Sequence, residues 1–335
     1  MTLVPWEQSD AQRAEPPRPG AAQRGLARLD RGETGNDANM AQESGGRVGG
    51  IPVQLSHLDK VFFPDDGITK GDLVAYYESM APRIIGYLKD RPLVMDRYPD
   101  GITGQRLVQK NVPQYFPDWI TRAEVKKQGG VVRHVICDKP ATLVYLANQA
   151  CIELHVFLSS LAALDRPDQL VFDLDPPDEA GFGLARRHAL NLREILEGDL
   201  GLATFVKTTG GKGLHVHVPL RPEADFDTVR GFARDVATRL ASRFPDELTV
   251  EPRKEQRGHR LYLDIMRNAY AQTVVAPYSV RGRPGAHVST PLHWSEVEDA
   301  TLNPGQFTMR TIAAELERRG DPWAGMARRR RRLPR

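Results

Sequence analysis

The segment Phe172-Asp173-Leu174-Asp175-Pro176-Pro177 constrains this chain most. Successive side chains of a strand point to opposite faces, so Asp173 and Asp175 share one face while Phe172 and Leu174 enter a core on the other. The two prolines stop the strand. Carboxylates held this close repel each other unless a cation lies between them. Hard oxygen ligands of this kind suit Mg²⁺ or Mn²⁺. An exposed loop with two ordinary acids, or a helix cap, would carry the same letters, and a second strand narrows the choice. In Leu261-Tyr262-Leu263-Asp264-Ile265-Met266 the apolar Leu261, Leu263 and Ile265 share one face, and Asp264 lies on the other with Tyr262 and Met266. An acid inside so apolar a strand needs a partner. As a third ligand from a neighbouring strand, Asp264 would complete a two-metal site, which activates an attacking hydroxyl and clamps a leaving pyrophosphate.

Between the two acid-bearing strands runs Lys207-Thr208-Thr209-Gly210-Gly211-Lys212-Gly213-Leu214-His215-Val216-His217. Its glycines let backbone N–H groups approach an anion closely, and Lys212 adds charge. It is not a Walker A loop, because Leu214 follows Gly213 and no helix follows. The same letters also make an ordinary hairpin turn. His215 and His217 share a strand face. They could bind metal only with a third ligand nearby; a phosphate contact through one of them fits better.

The surrounding pattern is mixed α and β. Thr69 and Asp72 read as a helix capping pair, followed by Leu73, Tyr76, Tyr77, Met80 and Ile84 at helical spacing. Residues 140–150 read as a second helix. Two more carry Leu184, His188, Leu192 and Ile195, and Val229, Phe232, Ala233, Val236 and Leu240. Ile152, Leu154 and Val156 alternate with Glu153, His155 and Phe157, as in a half-buried strand. Strands are also expected at 203–208, 213–219 and 260–266. Residues 1–50 hold few large apolar side chains and are expected to form a disordered arm, with one folded domain over 51–325. Residues 326–335 form a basic tail with five consecutive arginines, Arg328 to Arg332, either solvated or in weak contact with nucleic acid. With 46 Lys+Arg against 43 Asp+Glu, any basic surface must be local. Cys137 and Cys151 are the only cysteines, which excludes a disulfide framework and a cysteine-rich zinc site. Without a membrane span or an apolar signal core, the expected location is the cytoplasm, at the nucleoid.

Taken in order, these segments resemble the polymerase domain of bacterial DNA ligase D, of the archaeo-eukaryotic primase superfamily, from about residue 53 to 310. The resemblance rests on Leu55-Ser56-His57-Leu58-Asp59-Lys60-Val61-Phe62-Phe63-Pro64, Thr69-Lys70-Gly71-Asp72, Arg97-Tyr98-Pro99-Asp100-Gly101, Gln109-Lys110-Asn111 and Glu153-Leu154-His155. It continues through Phe172–Pro176, Thr209–His215, Asp264-Ile265-Met266-Arg267-Asn268 and Tyr278-Ser279-Val280-Arg281. Each block alone is weak; their common order is specific. The resemblance implies an α+β primase-polymerase fold, with an antiparallel catalytic sheet flanked by helices and an N-terminal α/β module. It implies that Asp173, Asp175 and Asp264 are catalytic and bind two divalent metal ions, Mg²⁺ or Mn²⁺. It implies that His155, Thr209, Lys212, His215, Arg267 and Arg281 surround an incoming NTP or dNTP. Lys60 and Lys70 match lysines that grip a DNA 5′-phosphate; read without the family they are merely exposed lysines flanking a helix. Leu107, Val108, Lys110 and Arg257 fall to the DNA side.

Three positions depart from the family pattern. Leu107 and Val108 stand where some relatives have a pair of aromatic residues that stack on template, so stacking is lost there and only apolar wedging is left open. Asp96 stands where some have a lysine near the nucleotide, and His57 where some have an asparagine. The implied activity is template-directed addition of nucleotides at DNA ends and gaps during double-strand break repair by non-homologous end joining. A stand-alone primase of the same fold would not need the Lys60/Lys70 pair, and a non-catalytic DNA-end binding module would not need the three acids. A ligase would need a Lys-x-Asp-Gly site, and Tyr98-Pro99-Asp100-Gly101 lacks the lysine. The partners implied are 5′-phosphorylated DNA, the end-binding protein Ku and a separate ligase, with no membrane.

Overall fold

A six-stranded sheet gathers the three aspartates and the two strands that flank the Gly-rich turn, and a second, smaller sheet closes over its polar face. The computed structural model describes residues 44–334. The expectation of a disordered arm lies outside the described residues up to residue 43. From Ser44 it gives way to β1 (Ser44–Val48), which pairs antiparallel with β2 (Ile51–Leu55) through a turn at Gly49 and Gly50, both at positive φ. The ladder supplies the backbone hydrogen bonds that an arm would have left to water. A small hairpin follows, β3 (Val61–Phe63) with β4 (Ile68–Thr69). It leads into α1 (Lys70–Leu88), whose first turn carries the expected capping box between Thr69 and Asp72.

The smaller sheet contains β5 (Leu93–Arg97) and β6 (Leu107–Gln109). Beyond it, β7 (Arg122–Lys127) and β8 (Gly130–Val135) form a separate hairpin, and α2 (Pro140–Asn148) leads into β9 (Cys151–Phe157). β9 is buried on both faces rather than half-buried, because the smaller sheet has a core on one side and the larger sheet on the other. The larger sheet begins with β10 (Gln169–Asp175). It is covered by α3 (Phe182–Arg193), which runs on into a wider turn over Glu194–Asp199. β11 (Phe205–Thr208), β12 (Leu214–Pro219), α4 (Phe226–Arg243) and β13 (Leu248–Thr249) follow. After the single turn α5 (Lys254–Arg257) come β14 (Leu261–Asp264), β15 (Thr273–Val275) and β16 (Pro291–Leu292).

The larger sheet has the order β13-β14-β10-β12-β11-β16 and the smaller β15-β9-β5-β6. All pairs are antiparallel except β13 with β14 at one edge. Phe172 and Leu174 are fully buried on the side where α3 and α4 contact β10. This leaves the acids on the other face. β14 ends two residues earlier than its apolar pattern predicts. The chain turns at Met266–Asn268 because the Asn268 amide bonds both the N–H and the carbonyl of Val171.

The C-terminal residues are not a free basic tail. Arg331 bridges to Leu220, its N–H donating to the Pro219 carbonyl; Arg330 pairs with the buried Asp168 at 2.6 Å, and Arg332 pairs with Glu223. The five-arginine run is therefore partly spent on holding the chain against β12. No helix among the described residues is long and apolar enough to cross a membrane.

Candidate active site

Strand register builds the site. Asp173 on β10 stands opposite Asp264 on β14 and opposite His215 on β12, and His215 stands opposite Lys207 on β11. Asp264, Asp173, His215 and Lys207 thus form one ionisable row across four strands, with Asp175 two residues along the same face of β10. His215 Nε2 lies 3.4 Å from Asp173 Oδ2. Burial raises the pKa of Asp173 against the pull of Arg267, Lys207 and Arg281. Burial, and then the Asp173 charge, raises that of Asp264. Two neighbouring buried carboxylates that resist ionisation would gain from a cation that stabilises their charged form, and their oxygens are hard donors, so the set fits a divalent cation. Lys207 and His215 are buried, and desolvation lowers both far below their ordinary pKa values.

The Gly-rich turn closes one side. Gly210 adopts positive φ, and a Cβ there would stand 2.6 Å from Cγ of Arg281; a Cβ on Gly213 would stand 2.3 Å from the Leu174 carbonyl oxygen. Glycine is required at both places, since the turn must pass close to Arg281 and to the acid-bearing strand. The Thr209 hydroxyl ties the turn together, accepting from Gly211 N at 3.1 Å and donating to the Gly213 carbonyl. Lys212 Nζ donates to the Pro177 carbonyl at 2.9 Å and lies 3.4 Å from Asp175. His217, by contrast, bonds Gln169 through Nδ1 and packs on Trp323, away from the acids.

The smaller sheet supplies the opposite wall. Glu153 is 3% exposed and gathers four donors: Arg281 Nε at 2.8 Å, Gly282 N at 3.0 Å, the Tyr98 hydroxyl at 3.0 Å and His155 Nε2 at 3.2 Å. Burial alone would raise its pKa, but the His155 hydrogen bond and the Arg281 charge hold it well below the usual carboxylate range. Arg281 also donates to the Thr209 carbonyl at 2.7 Å, joining the walls. Asp96, Glu153 and His155 are the one His/Cys/Asp/Glu group among the described residues whose ligand atoms all lie within 4.8 Å, close enough to hold a metal ion. Asp173, Asp175 and Asp264 are not so closely gathered. Between the walls lies a cavity of about 350 Å³ that His155, Asp173, Asp175, Thr209, Lys212, His215, Arg267 and Arg281 line together with Arg106 and Arg283. All six residues expected at the nucleotide are therefore neighbours.

None of the residues expected at DNA lines that cavity, and all but Arg257 stand away from the acids. Lys60 and Lys70 are linked by a backbone hydrogen bond from Lys70 N to the Lys60 carbonyl, 2.8 Å. Lys70 is buried, not a merely exposed lysine; its ammonium donates to the Ser56 carbonyl at 2.5 Å. Lys60 pairs with Asp100 at 2.8 Å. Burial and the Lys60 charge lower the Lys70 pKa to about 8. Leu107 and Val108 are exposed on the edge strand β6, beside exposed Lys110. Arg257 stacks 3.7 Å over Tyr262 and lies 3.8 Å from Asp175, which places it beside the acids.

Sequence reasoning missed Glu153, Arg106 and Arg283 as lining or supporting groups, and it noted Asp96 only as a departure from the family pattern near the nucleotide. Glu153 was within reach of the alternation argument, since it shares a strand face with His155. The others depend on which strands become neighbours, which local pattern does not encode.

Residues 69–323 match the family described as LigD, primase-polymerase domain. The chain belongs to that family. It is 33% identical over 272 residues to the bifunctional non-homologous end joining protein LigD of Bacillus subtilis, covering 81% of this chain and 43% of that protein. It is 32% identical over 277 residues to the multifunctional non-homologous end joining DNA repair protein LigD of Mycobacterium tuberculosis, covering 80% and 36%. The chain thus spans less than half the length of these relatives. The solved polymerase domain of Mycobacterium tuberculosis ligase D in complex with DNA superposes with a TM-score of 0.76 at 30% identity, covering 83% of this chain and 99% of that one. The α+β architecture expected from the sequence is that of this domain.

Proposed function

We propose that this member of the LigD primase-polymerase family is a template-directed nucleotidyltransferase that adds NTPs or dNTPs at DNA ends and gaps in non-homologous end joining. The observation that carries the reading is the row Asp264–Asp173–His215–Lys207, of which Asp173 and His215, with Asp175 beside them, line a cavity whose other charged side chains are Arg106, Lys212, Arg267, Arg281 and Arg283. The relatives' names place them in end joining, and the superposed domain was solved with DNA.

Asp173, Asp175 and Asp264 would hold two divalent ions, Mg²⁺ or Mn²⁺. Bound there, such ions lower the pKa of an attacking 3′-hydroxyl and neutralise charge on the departing pyrophosphate. The protein's own groups orient the triphosphate. Arg281, fixed by Glu153 and the Thr209 carbonyl, cannot swing away, so its charge is preorganised where negative charge grows. Lys212, Thr209 and the turn N–H groups border the same side; His155, His215 and Arg267 complete the ring. Lys60 and Lys70 would grip a downstream 5′-phosphate, while Leu107 and Val108 wedge against template beside Lys110. Arg257 is better placed to steer Asp175 than to touch DNA. Ku and a separate ligase would be partners in the cytoplasm. Primer extension on a gapped, 5′-phosphorylated duplex, with NTPs and dNTPs compared under Mg²⁺ and Mn²⁺, tests the reading; no addition with either metal would refute it.

A further inference from the structure

Two buried carboxylates stand side by side on the smaller sheet, and each holds an arginine at the same cavity. Asp96 on β5 is opposite Glu153 on β9. Glu153 fixes Arg281, as described. Asp96, 1% exposed, fixes Arg106, accepting from Nε at 3.0 Å and also from Nη2. His155 Nε2 lies between the two acids, 3.3 Å from Asp96 and 3.2 Å from Glu153. A carboxylate this buried is costly unless a cation stays on it, so the pair fixes where the guanidinium can be. Arg106 enters from the loop before β6, its side chain is 52% exposed, and it lines the cavity across from the Gly-rich turn. Its Nη1 makes no hydrogen bond among the described residues.

We infer that Arg106, positioned by Asp96, is a further contact to the triphosphate of the incoming nucleotide, gripping it from the wall opposite Lys212. This rests on the nucleotide reading of the cavity. The chemistry selects a polyphosphate: the cavity already presents Lys212, Arg267, Arg281 and Arg283, and a guanidinium anchored by one edge offers its remaining N–H groups as a fork to phosphate oxygens. Arg106 is the only one of these cations that comes from the β5–β6 side, so it closes the ring around the ligand. Asp96 acts through Arg106 and is a positioning residue.

The test compares Arg106→Ala, Arg106→Lys, Asp96→Asn and the Arg106→Ala/Asp96→Asn double variant with wild type. Two readouts are used: steady-state NTP kinetics, and displacement of a fluorescent ATP analogue by inorganic tripolyphosphate in Mg²⁺ buffer. Loss of one charge-assisted contact should raise KM about tenfold with kcat within about twofold, and weaken tripolyphosphate by a similar factor. Arg106→Lys should recover part of the loss. Asp96→Asn should shift both readouts in the same direction, and the double variant should be no worse than Arg106→Ala alone. Tripolyphosphate affinity unchanged in Arg106→Ala and in Asp96→Asn would overturn the inference, as would a KM effect on NTP without any effect on tripolyphosphate. The displacement arm reads out even if wild type adds no nucleotide, so failure of the polymerase reading is distinguishable. Urea midpoints identify a variant that has lost its fold, in which case the affinity of Arg106→Lys for tripolyphosphate decides.

Discussion

Replacing Asp264 by Asn should stabilise the metal-free protein and abolish its response to metal. Asp264 and Asp173 are directly opposed in register, which puts their carboxylates roughly 5 Å apart. Their side chains are 15% and 16% exposed. At an effective dielectric constant of about 20, two such charges repel by about 3 kcal/mol. Arg267, 3.7 Å from Asp264, offsets part of this, but it is 46% exposed and water reduces its attraction to about 1 kcal/mol. The amide keeps the carbonyl oxygen that accepts from Met266 N and from the Tyr262 hydroxyl. The net gain is therefore about 2 kcal/mol, a rise of about 3 °C in Tm for a domain of this size. Differential scanning calorimetry with EDTA, then with Mg²⁺ or Mn²⁺, measures both effects. Wild type should melt higher with metal, and the variant should not respond. A variant that melts lower than wild type in EDTA, together with a wild type indifferent to both metals, would refute the argument that these acids gain from a cation.

Three other perturbations follow from the same geometry. Lys212→Ala should raise KM for NTP about tenfold while leaving the DNA dissociation constant unchanged, because its amine touches the Pro177 carbonyl and Asp175 rather than the β6 edge; equal losses in both would reject a role confined to the nucleotide. Glu153→Gln should lower stability by about 3 kcal/mol in urea denaturation, since it strips a charge from a buried acid with four donors and leaves Arg281 unpaired; an unchanged midpoint would show that the pair contributes nothing. Lys70, with a folded pKa of about 8 below its unfolded 10.5, contributes stability that is full above 10.5 and lost as pH falls through that range to about 8. The protonated amine is also the form that binds phosphate. The preference for a 5′-phosphorylated gap should therefore strengthen from about pH 9 to about pH 7 in fluorescence anisotropy, on either side of the folded pKa, and Lys60→Ala/Lys70→Ala should remove both the preference and its pH dependence.

Period-2 alternation was enough to place Asp173 and Asp175 on one face, because β10 is flanked by helices on one side only and its apolar residues had to choose that side. The same reasoning gave a half-buried β9, and there it failed: the strand lies between a core and a second sheet, so polar Glu153 is buried as deeply as its apolar neighbours. The α1 capping box was legible because its partners are three residues apart. The β7–β8 hairpin was not, since β7 is largely charged and the two strands bury only Val125 and the end of β8. The row from Asp264 to Lys207 needed the sheet order, which strand patterns leave open. The C-terminal arginines read as a tail because their partners, Asp168 and Glu223, are more than a hundred residues away.

Three aspartates on two neighbouring strands are expected to drive templated nucleotide addition at a gap. The most direct test is single-nucleotide extension on a gapped duplex with a 5′-phosphorylated downstream strand. Wild type should be compared with Asp173→Ala, Asp175→Ala and Asp264→Ala, each first shown to be folded by calorimetry. We expect wild type with Mg²⁺ or Mn²⁺ to add the nucleotide complementary to the template, EDTA to stop it, and each variant to lose at least about a hundredfold in rate, as removal of a preorganised electrostatic group typically costs. Substantial extension by any of the three variants, or addition by wild type that ignores the template, would contradict the role given to these acids.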